Sequence, residues 1–373
     1  MGAEGSTGVE GLADAVTIIP LGGVPEVRHG DDLAALLLNA AQGTGRSLRD
    51  GDVLVVSSKV VSKALGLWSA DRDAAIDLAT VRVVAERRSG PRITRIVEST
   101  SGPVMAAAGV DASNTGGHPE VLMLPEKPDS EAERLRQSLL AATGLTELGV
   151  ILSDTAGRPW RSGQTDFALG AAGVQVLDDL RGATDADGQP LTVTARAIAD
   201  ELAGAADLVK GKADAIPAAI VRCADRGVGW ARGDQADGAA TLVRTGREDW
   251  FGYGHAEAVR AALGTEPGSP QSAEIGIAST GPESRTARLS RAIAVALVGA
   301  PEAGVDVGPD VLRVSAPTAY VLGLAVARLQ VALWGEGLRG EDQRVDSRAH
   351  VSGAPEALEV ALEVTELRAD HSG

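Results

Sequence analysis

Two short apolar runs, Val53–Val56 and Leu148–Leu152, constrain this chain more than any other feature. Apolar stretches of that length with no polar alternation read as strands covered on both faces. Each run breaks off at a cluster of polar side chains. Val56 gives way to Ser57-Ser58-Lys59 and then Ser62-Lys63, and Leu152 to Ser153-Asp154-Thr155-Ala-Gly-Arg158-Pro-Trp160-Arg161. Hydroxyl, ammonium and carboxylate groups are thereby expected where buried strands meet loops. Such oxygen ligands attract a hard divalent cation, and the adjoining Arg158 and Arg161 attract phosphate or carboxylate. The pattern points to a metal-assisted reaction on anionic substrates.

Composition narrows the reading. At 373 residues, two domains are the expectation. Aromatic residues make up only 2%, so Val, Leu, Ile and Ala must build the core. A net charge of −16 argues against a nucleic-acid or anionic-membrane partner. Anionic substrates would then need a locally positive site within an acidic surface. The single cysteine, Cys223, rules out an internal disulfide framework and a cysteine-based zinc site, and fits a reducing compartment. No apolar run approaches the roughly 20 residues that span a bilayer. The first residues lack a basic n-region, so a cytoplasmic location is expected.

Along the chain, residues 1–15 read as a flexible tail and 16–245 as a first domain. A connection over 246–272 and a smaller domain over 273–373 follow. Val16–Pro20 is a strand running into Leu21-Gly22-Gly23-Val24-Pro25. Asp31 and Asp32 open a helix from Leu33 to about Gln42, because acidic groups suit a helix N-terminus. Residues 68–90 read as one helix and Ile93–Glu98 as a strand. Helices are expected over 131–142 and 193–210, with a strand over 216–221. A short helix from His255 to Leu263 precedes a linker-like Gly264–Ser272. Helices near 284–299 and 317–335 and a strand over 358–367 complete the chain. Strands and helices mix without a regular βαβ cadence, so the class is α+β.

Several familiar sites are missing. No Gly-x4-Gly-Lys-Ser/Thr loop occurs, and Gly170-Ala-Ala-Gly173 is at best half of a dinucleotide fingerprint. His29 and His118 read as loop residues and Cys223 as a structural thiol. Four clusters remain, each with a plainer alternative. Leu21–Val24 can aim backbone N–H groups at an anion, or be a turn. Ser57-Ser58-Lys59 with Ser62-Lys63 can bind phosphate, or be a solvated helix start. Gly109-Val-Asp111-Ala-Ser-Asn114 can supply ligands, or bond its own backbone. Asp154-Thr155 can hold a metal, or cap a helix.

At these residues the chain resembles the coenzyme F420-0:L-glutamate ligases. The resemblance runs from about Ile18 to Val243. It includes Pro20-Leu-Gly-Gly-Val-Pro-Glu26, Gly51-Asp-Val-Leu-Val-Val-Ser-Ser-Lys-Val-Val-Ser-Lys63, Ala108-Gly-Val-Asp-Ala-Ser-Asn114, Ser153–Arg161, Gly163-Gln-Thr-Asp166 and Ala199–Leu208 with Gly211-Lys212. It implies a mixed-sheet α+β fold, a homodimer, and GTP-dependent amide ligation of L-glutamate to coenzyme F420-0 through an acyl phosphate. It also implies Mn2+ or Mg2+, and admits K+. Position by position, Asp111, Asp154 and Thr155 match the family's metal ligands; Leu21, Gly22, Gly23, Val24, Ser58, Lys63 and Asn114 match its GTP contacts. Arg158 and Arg161 are physical additions as catalytic clamps for phosphate or the glutamate carboxylates. Leu65 and Ala107 replace the family's usual glutamate and asparagine. A silent paralogue that binds GTP or the deazaflavin, or a ligase for another carboxylate cofactor, are the alternatives. The C-terminal part resembles a nitroreductase-like domain, but it is short and lacks the Arg-rich flavin-phosphate motif. A reduced remnant without flavin is expected there.

Overall fold

The computed structural model describes residues 15–211, 213–223, 237–246, 249–343 and 358–367. Most of the expected tail and Lys212 lie outside them. Contacts divide the chain into two units, residues 1–81 with 98–248, and 82–97 with 249–373. The elements of the N-terminal part are β1 (Val16–Pro20), α1 (Leu33–Gly43), β2 (Asp52–Ser57), α2 (Ser58–Leu65), β3 (Trp68–Ser69), α3 (Arg72–Leu78), β4 (Thr80–Ser89), β5 (Arg92–Ser99), β6 (Val104–Ala106) and β7 (Val121–Leu122). They continue with α4 (Pro128–Thr143), β8 (Leu148–Arg158), β9 (Arg161–Ala172), β10 (Asp178–Asp179), β11 (Ala195–Arg196), α5 (Ile198–Lys210) and β12 (Ala218–Cys223).

A five-stranded sheet in the order β1-β12-β2-β8-β9 organises the first unit. β2 and β8 are parallel, whereas the other neighbours are antiparallel, so the sheet is mixed. Side chains alternate between its faces. Leu54, Val56, Leu148, Val150 and Leu152 pack with Leu33, Leu37, Leu135 and Leu139 of α1 and α4. Val53, Val55 and Ile151 pack on the opposite face with Ile198, Ala199, Leu202, Ala203 and Ala206 of α5. Both faces are covered, which is why the two central strands are continuous apolar runs. The alanines of α5 lie against the sheet in a core that contains no aromatic residue.

Gly170 and Gly173 belong to this packing and not to a nucleotide loop. A Cβ on Gly170 would lie 2.4 Å from the carbonyl carbon of Pro128, and one on Gly173 2.3 Å from Nε of Arg136.

Residues 68–90 are not one helix. Asp71 caps α3 by accepting from the backbone N–H groups of Asp73 and Ala74, and α3 ends at Leu78. The β-branched run Thr80-Val-Arg-Val-Val84 then favours a strand. β4 and β5 form adjacent strands. The helix expected from Val193 begins at Ile198, after the short strand β11.

In the second unit are α6 (His255–Ala262), α7 (Pro270–Ile275), α8 (Arg285–Leu297), β13 (Gly304–Val307), β14 (Val311–Ala316), α9 (Ala319–Gly335), β15 (Leu338–Gln343) and β16 (Leu358–Glu366). The antiparallel sheet runs β13-β14-β16-β15. Leu289, Val295, Leu329 and Leu333 of α8 and α9 pack on Leu312, Val314 and Leu362. Ser269 caps α7 within the stretch that composition marks as linker. A buried ion cluster joins Arg291 to Glu283 and Glu336, and Arg260 to Glu336. No helix of the described residues is long and apolar enough to cross a membrane.

Candidate active site

The parallel pairing of β2 with β8 ends at Ser57 and Ser153, where β2 stops. A crevice outside the carboxyl ends of parallel strands is the usual place for a ligand in a sheet of this kind. Here it is a cavity of about 360 Å³ in the first unit, lined by Glu26, Lys59, Lys63, Asp111, Asn114, Asp154, Thr155, Asp166 and Lys210 among others. Three ammonium groups (Lys59, Lys63, Lys210) face five carboxylates (Glu26, Asp111, Asp154, Asp166, Asp207). Among the described residues the lining therefore carries an excess of negative charge.

The chain reaches this arrangement by local periodicity. α2 starts directly after β2, and Lys59 and Lys63, four residues apart, fall on one helical face. Lys63 is buried and its Nζ bonds to Glu26 Oε1. Gly116 packs against that glutamate, and a Cβ there would lie 2.7 Å from Oε1. Lys59 Nζ donates to Asp111 Oδ2 (2.6 Å), to the Ser113 carbonyl (2.8 Å) and to Ser113 Oγ (2.9 Å). The expected Asx turn is present, since Ser113 N–H donates to Asp111 Oδ1 at 2.7 Å. Burial pushes the Asp111 carboxyl up, but the hydrogen bond and charge of Lys59 and the bonds from Ser113 outweigh it, leaving Asp111 below the ordinary carboxylate range. Asn114 follows in the left-handed region with φ 53°.

Ser153-Asp154-Thr155 lies inside β8 and neither in a loop nor at a helix cap. The strand carries on past its buried half, with a register shift between Leu152 and Ser153, and pairs with β9 up to the turn at Pro159-Trp160. Register shifts of this type re-aim side chains next to sites. Thr155 stands opposite Asp166 and donates to its Oδ1 at 2.6 Å. Ser153, two residues back and on the same side of the strand, donates to Oδ2 at 2.9 Å. Lys210, the last residue of α5, reaches both Ser153 Oγ and Asp166 Oδ2 at 2.6 Å. Burial pushes the Asp166 carboxyl up, yet the Lys210 charge and the bonds from Lys210, Thr155 and Ser153 bring it below the usual range.

The sequence-selected residues divide between places. Val24, Lys63, Asp111, Asn114, Asp154 and Thr155 line the cavity together. Gly22 and Gly23 line a separate hollow beside Leu36, Asn39 and Thr44. Leu21 is a core side chain. Ser58 is buried, and its Oγ has no hydrogen-bond partner among the described residues. Arg158 and Arg161 face each other at the exposed tip of the β8–β9 hairpin, outside the cavity. Leu65 and Ala107, the two departures, do not line it either. Glu26, Asp166 and Lys210 also line the cavity without a role in the sequence reading, and Lys59 and Ser153 enter that reading only as members of their clusters. Only the strand register reveals that Asp166 faces Thr155.

Comparison with known proteins gives this geometry a family. The profile described as F420-0:gamma-glutamyl ligase matches residues 23–223, more than half of the chain. The chain belongs to the F420-0:gamma-glutamyl ligase family. It is 41% identical over 224 residues to the coenzyme F420:L-glutamate ligase of Halobacterium salinarum, covering 54% of this chain and 84% of the relative. The protein of the same name from Haloarcula marismortui is 40% identical over 228 residues, 55% and 86% of the two chains. That of Natronomonas pharaonis is 38% identical over 251 residues, 61% and 91%. The profile contains every cavity residue described above, from Val24 to Lys210.

Proposed function

We propose that this chain is a ligase that joins L-glutamate by an amide bond to the carboxylate of coenzyme F420-0, with GTP as the activating nucleotide. The observation that carries the reading is the cavity where the parallel pairing of β2 and β8 ends. It brings oxygen ligands and ammonium groups together in a chain of this family. Triphosphate and carboxylate substrates are anions, and a lining with more carboxylates than ammoniums would repel them. A divalent cation between the two removes the conflict.

The donor set fits Mg2+ or Mn2+. Among the described residues no three His, Cys, Asp or Glu side chains converge on one point. Magnesium at nucleotide sites is commonly held by one or two carboxylates plus substrate phosphates, without a full protein cage. Asp111, Asp154 and Thr155, which line the same cavity, would supply hard oxygen ligands of that kind. Thr155 donates its hydroxyl hydrogen to Asp166, which fixes the orientation of that hydroxyl. When bound, the metal would neutralise phosphate charge and align the transferring phosphoryl group.

The remaining steps belong to the chain. Lys63, with Leu21 to Val24, Ser58 and Asn114, is assigned to the nucleotide. The γ-phosphoryl group passes to the substrate carboxylate, giving an acyl phosphate and GDP. The amine of glutamate then attacks the acyl carbon and phosphate leaves. Lys210 keeps Asp166 ionised, so that it holds the Ser153 and Thr155 hydroxyls in place. Arg158 and Arg161 are assigned as clamps for phosphate or glutamate carboxylates; a higher KM for glutamate in R158A/R161A would support that part, and an unchanged KM would refute it. A homodimer and a flavin-free, reduced nitroreductase-like C-terminal unit complete the reading; stoichiometric yellow flavin in the purified protein overturns the latter. The experiment is glutamate-stimulated, Mn2+-dependent GTP hydrolysis by wild type and Asp154→Ala. Loss in the variant supports the assignment, and wild-type turnover in it refutes it.

A further inference from the structure

Asp111 is already engaged through both carboxylate oxygens. Its Oδ1 accepts from Ser113 N–H, and its Oδ2 accepts from Lys59 Nζ at 2.6 Å and Ser113 Oγ at 2.9 Å. A divalent cation on Oδ2 must displace a donor, and one on Oδ1 stands against the Lys59 ammonium that already holds the other oxygen. The Ser113 N–H is fixed by the Asx turn, and the backbone of Asp111 is fixed by paired hydrogen bonds with Leu122. Lys59 is different, because its ammonium ends a flexible four-carbon stem with rotatable donors. Its side chain is 16% exposed and lines the cavity.

The surroundings say where that ammonium can go. Lys59 lies in the first turn of α2, whose N-cap residue Ser57 makes no side-chain capping bond. The first backbone N–H groups of a helix lack intrahelical partners and favour an anion. Ser58, next to Lys59 and 1% exposed, also carries a hydroxyl with no partner among the described residues. On β8, just past its pairing with β2, stand Asp154 and Thr155.

We propose that Lys59 is a placeholder cation. It neutralises Asp111 while no divalent metal is present, and it passes to the phosphate chain of the nucleotide when metal takes the carboxylate. This rests on the metal–nucleotide reading above. Two consequences of opposite sign follow. Lys59 competes with metal in the empty site, so metal binds weakly alone and more tightly with nucleotide. Once nucleotide is present, the same ammonium contributes to phosphate affinity.

The test is Mn2+ titration of the full chain, reading free Mn2+ by electron paramagnetic resonance. Wild type, Lys59→Met and Lys59→Arg are compared with and without GTP, and GTP affinity is measured at saturating Mn2+. Folding is checked by circular dichroism. K59M is expected to bind Mn2+ alone about tenfold more tightly and to bind GTP about tenfold more weakly, the scale of one charge-assisted hydrogen bond. K59R keeps the positive charge and should hold GTP affinity within about threefold of wild type, with no gain in Mn2+ affinity. If K59M binds Mn2+ alone no better than wild type, the placeholder role is wrong even where wild type binds Mn2+ and GTP together. If wild type binds neither, the metal–nucleotide reading fails and the proposal with it. A structural role for Lys59 would lower both affinities, which also overturns it.

Discussion

Replacing Lys210 by methionine strips the counter-charge from a carboxylate that is almost wholly buried. Lys210 and Asp166 are 4% and 5% exposed, and their charged atoms lie 2.6 Å apart. At an effective dielectric near 20, the gross attraction across that distance is about 6 kcal/mol. Desolvation of both ions offsets much of it, and removing one partner of a buried pair typically costs about 3–5 kcal/mol. We expect Lys210→Met to lose about 3 kcal/mol at pH 7, measured by urea unfolding with circular dichroism. In wild type the folded-state pKa of Asp166 is depressed. Its stabilising contribution is therefore fully present above the unfolded value, about 3.9, and is lost as pH falls through the lower folded value. Without Lys210, burial pushes the carboxyl up, so the cost of K210M should shrink as pH drops from 7 to 5. Adding Asp166→Asn should recover more than half of the loss, because the amide oxygen still accepts from a hydroxyl and carries no charge. A cost below about 1 kcal/mol at pH 7, or no recovery in the double variant, would refute the reasoning.

Other expectations follow from single positions. Ala108 sits in the left-handed region with φ 53°, which costs an L residue roughly 1–2 kcal/mol; Ala108→Gly should raise the melting temperature by about 2–4 °C. Gly170→Ala sets a Cβ 2.4 Å from the Pro128 backbone, so it should destabilise by about 2–3 kcal/mol or more in urea unfolding. Ligation should stop when metal is removed with EDTA and return with Mn2+, and unchanged turnover after chelation would contradict the metal assignment.

How much of this was legible in the sequence depends on what each residue answers to. The buried strands were, because side chains covered on both faces leave an uninterrupted apolar run, as in Val53–Val56. The α+β class and most helices were too, since Asp32 and the periodic leucines of α1 act locally. The helix expected over 68–90 failed because Asp71–Leu78 is helical in character while Thr80–Val84 is not, and one period was extended across both. The loop expected at Ser153 failed for a different reason. Polar residues there remain in a strand because β9, the next strand of the same hairpin, pairs with them, and Ser153–Arg161 carries no apolar alternation to mark that pairing. The site shows the same division. Asp111, Asp154 and Thr155 stand out by type and spacing. Asp166 and Lys210 become partners of Ser153 only through hairpin register and the end point of α5.

The central claim is amide ligation by this chain, and mass spectrometry tests it most directly. Purified protein is incubated with coenzyme F420-0, L-glutamate, GTP and Mn2+, and the deazaflavin product is weighed. The account predicts a product heavier by one or more glutamyl units, formed only when GTP and metal are both present. An unchanged precursor, from folded protein with every component present, would contradict it.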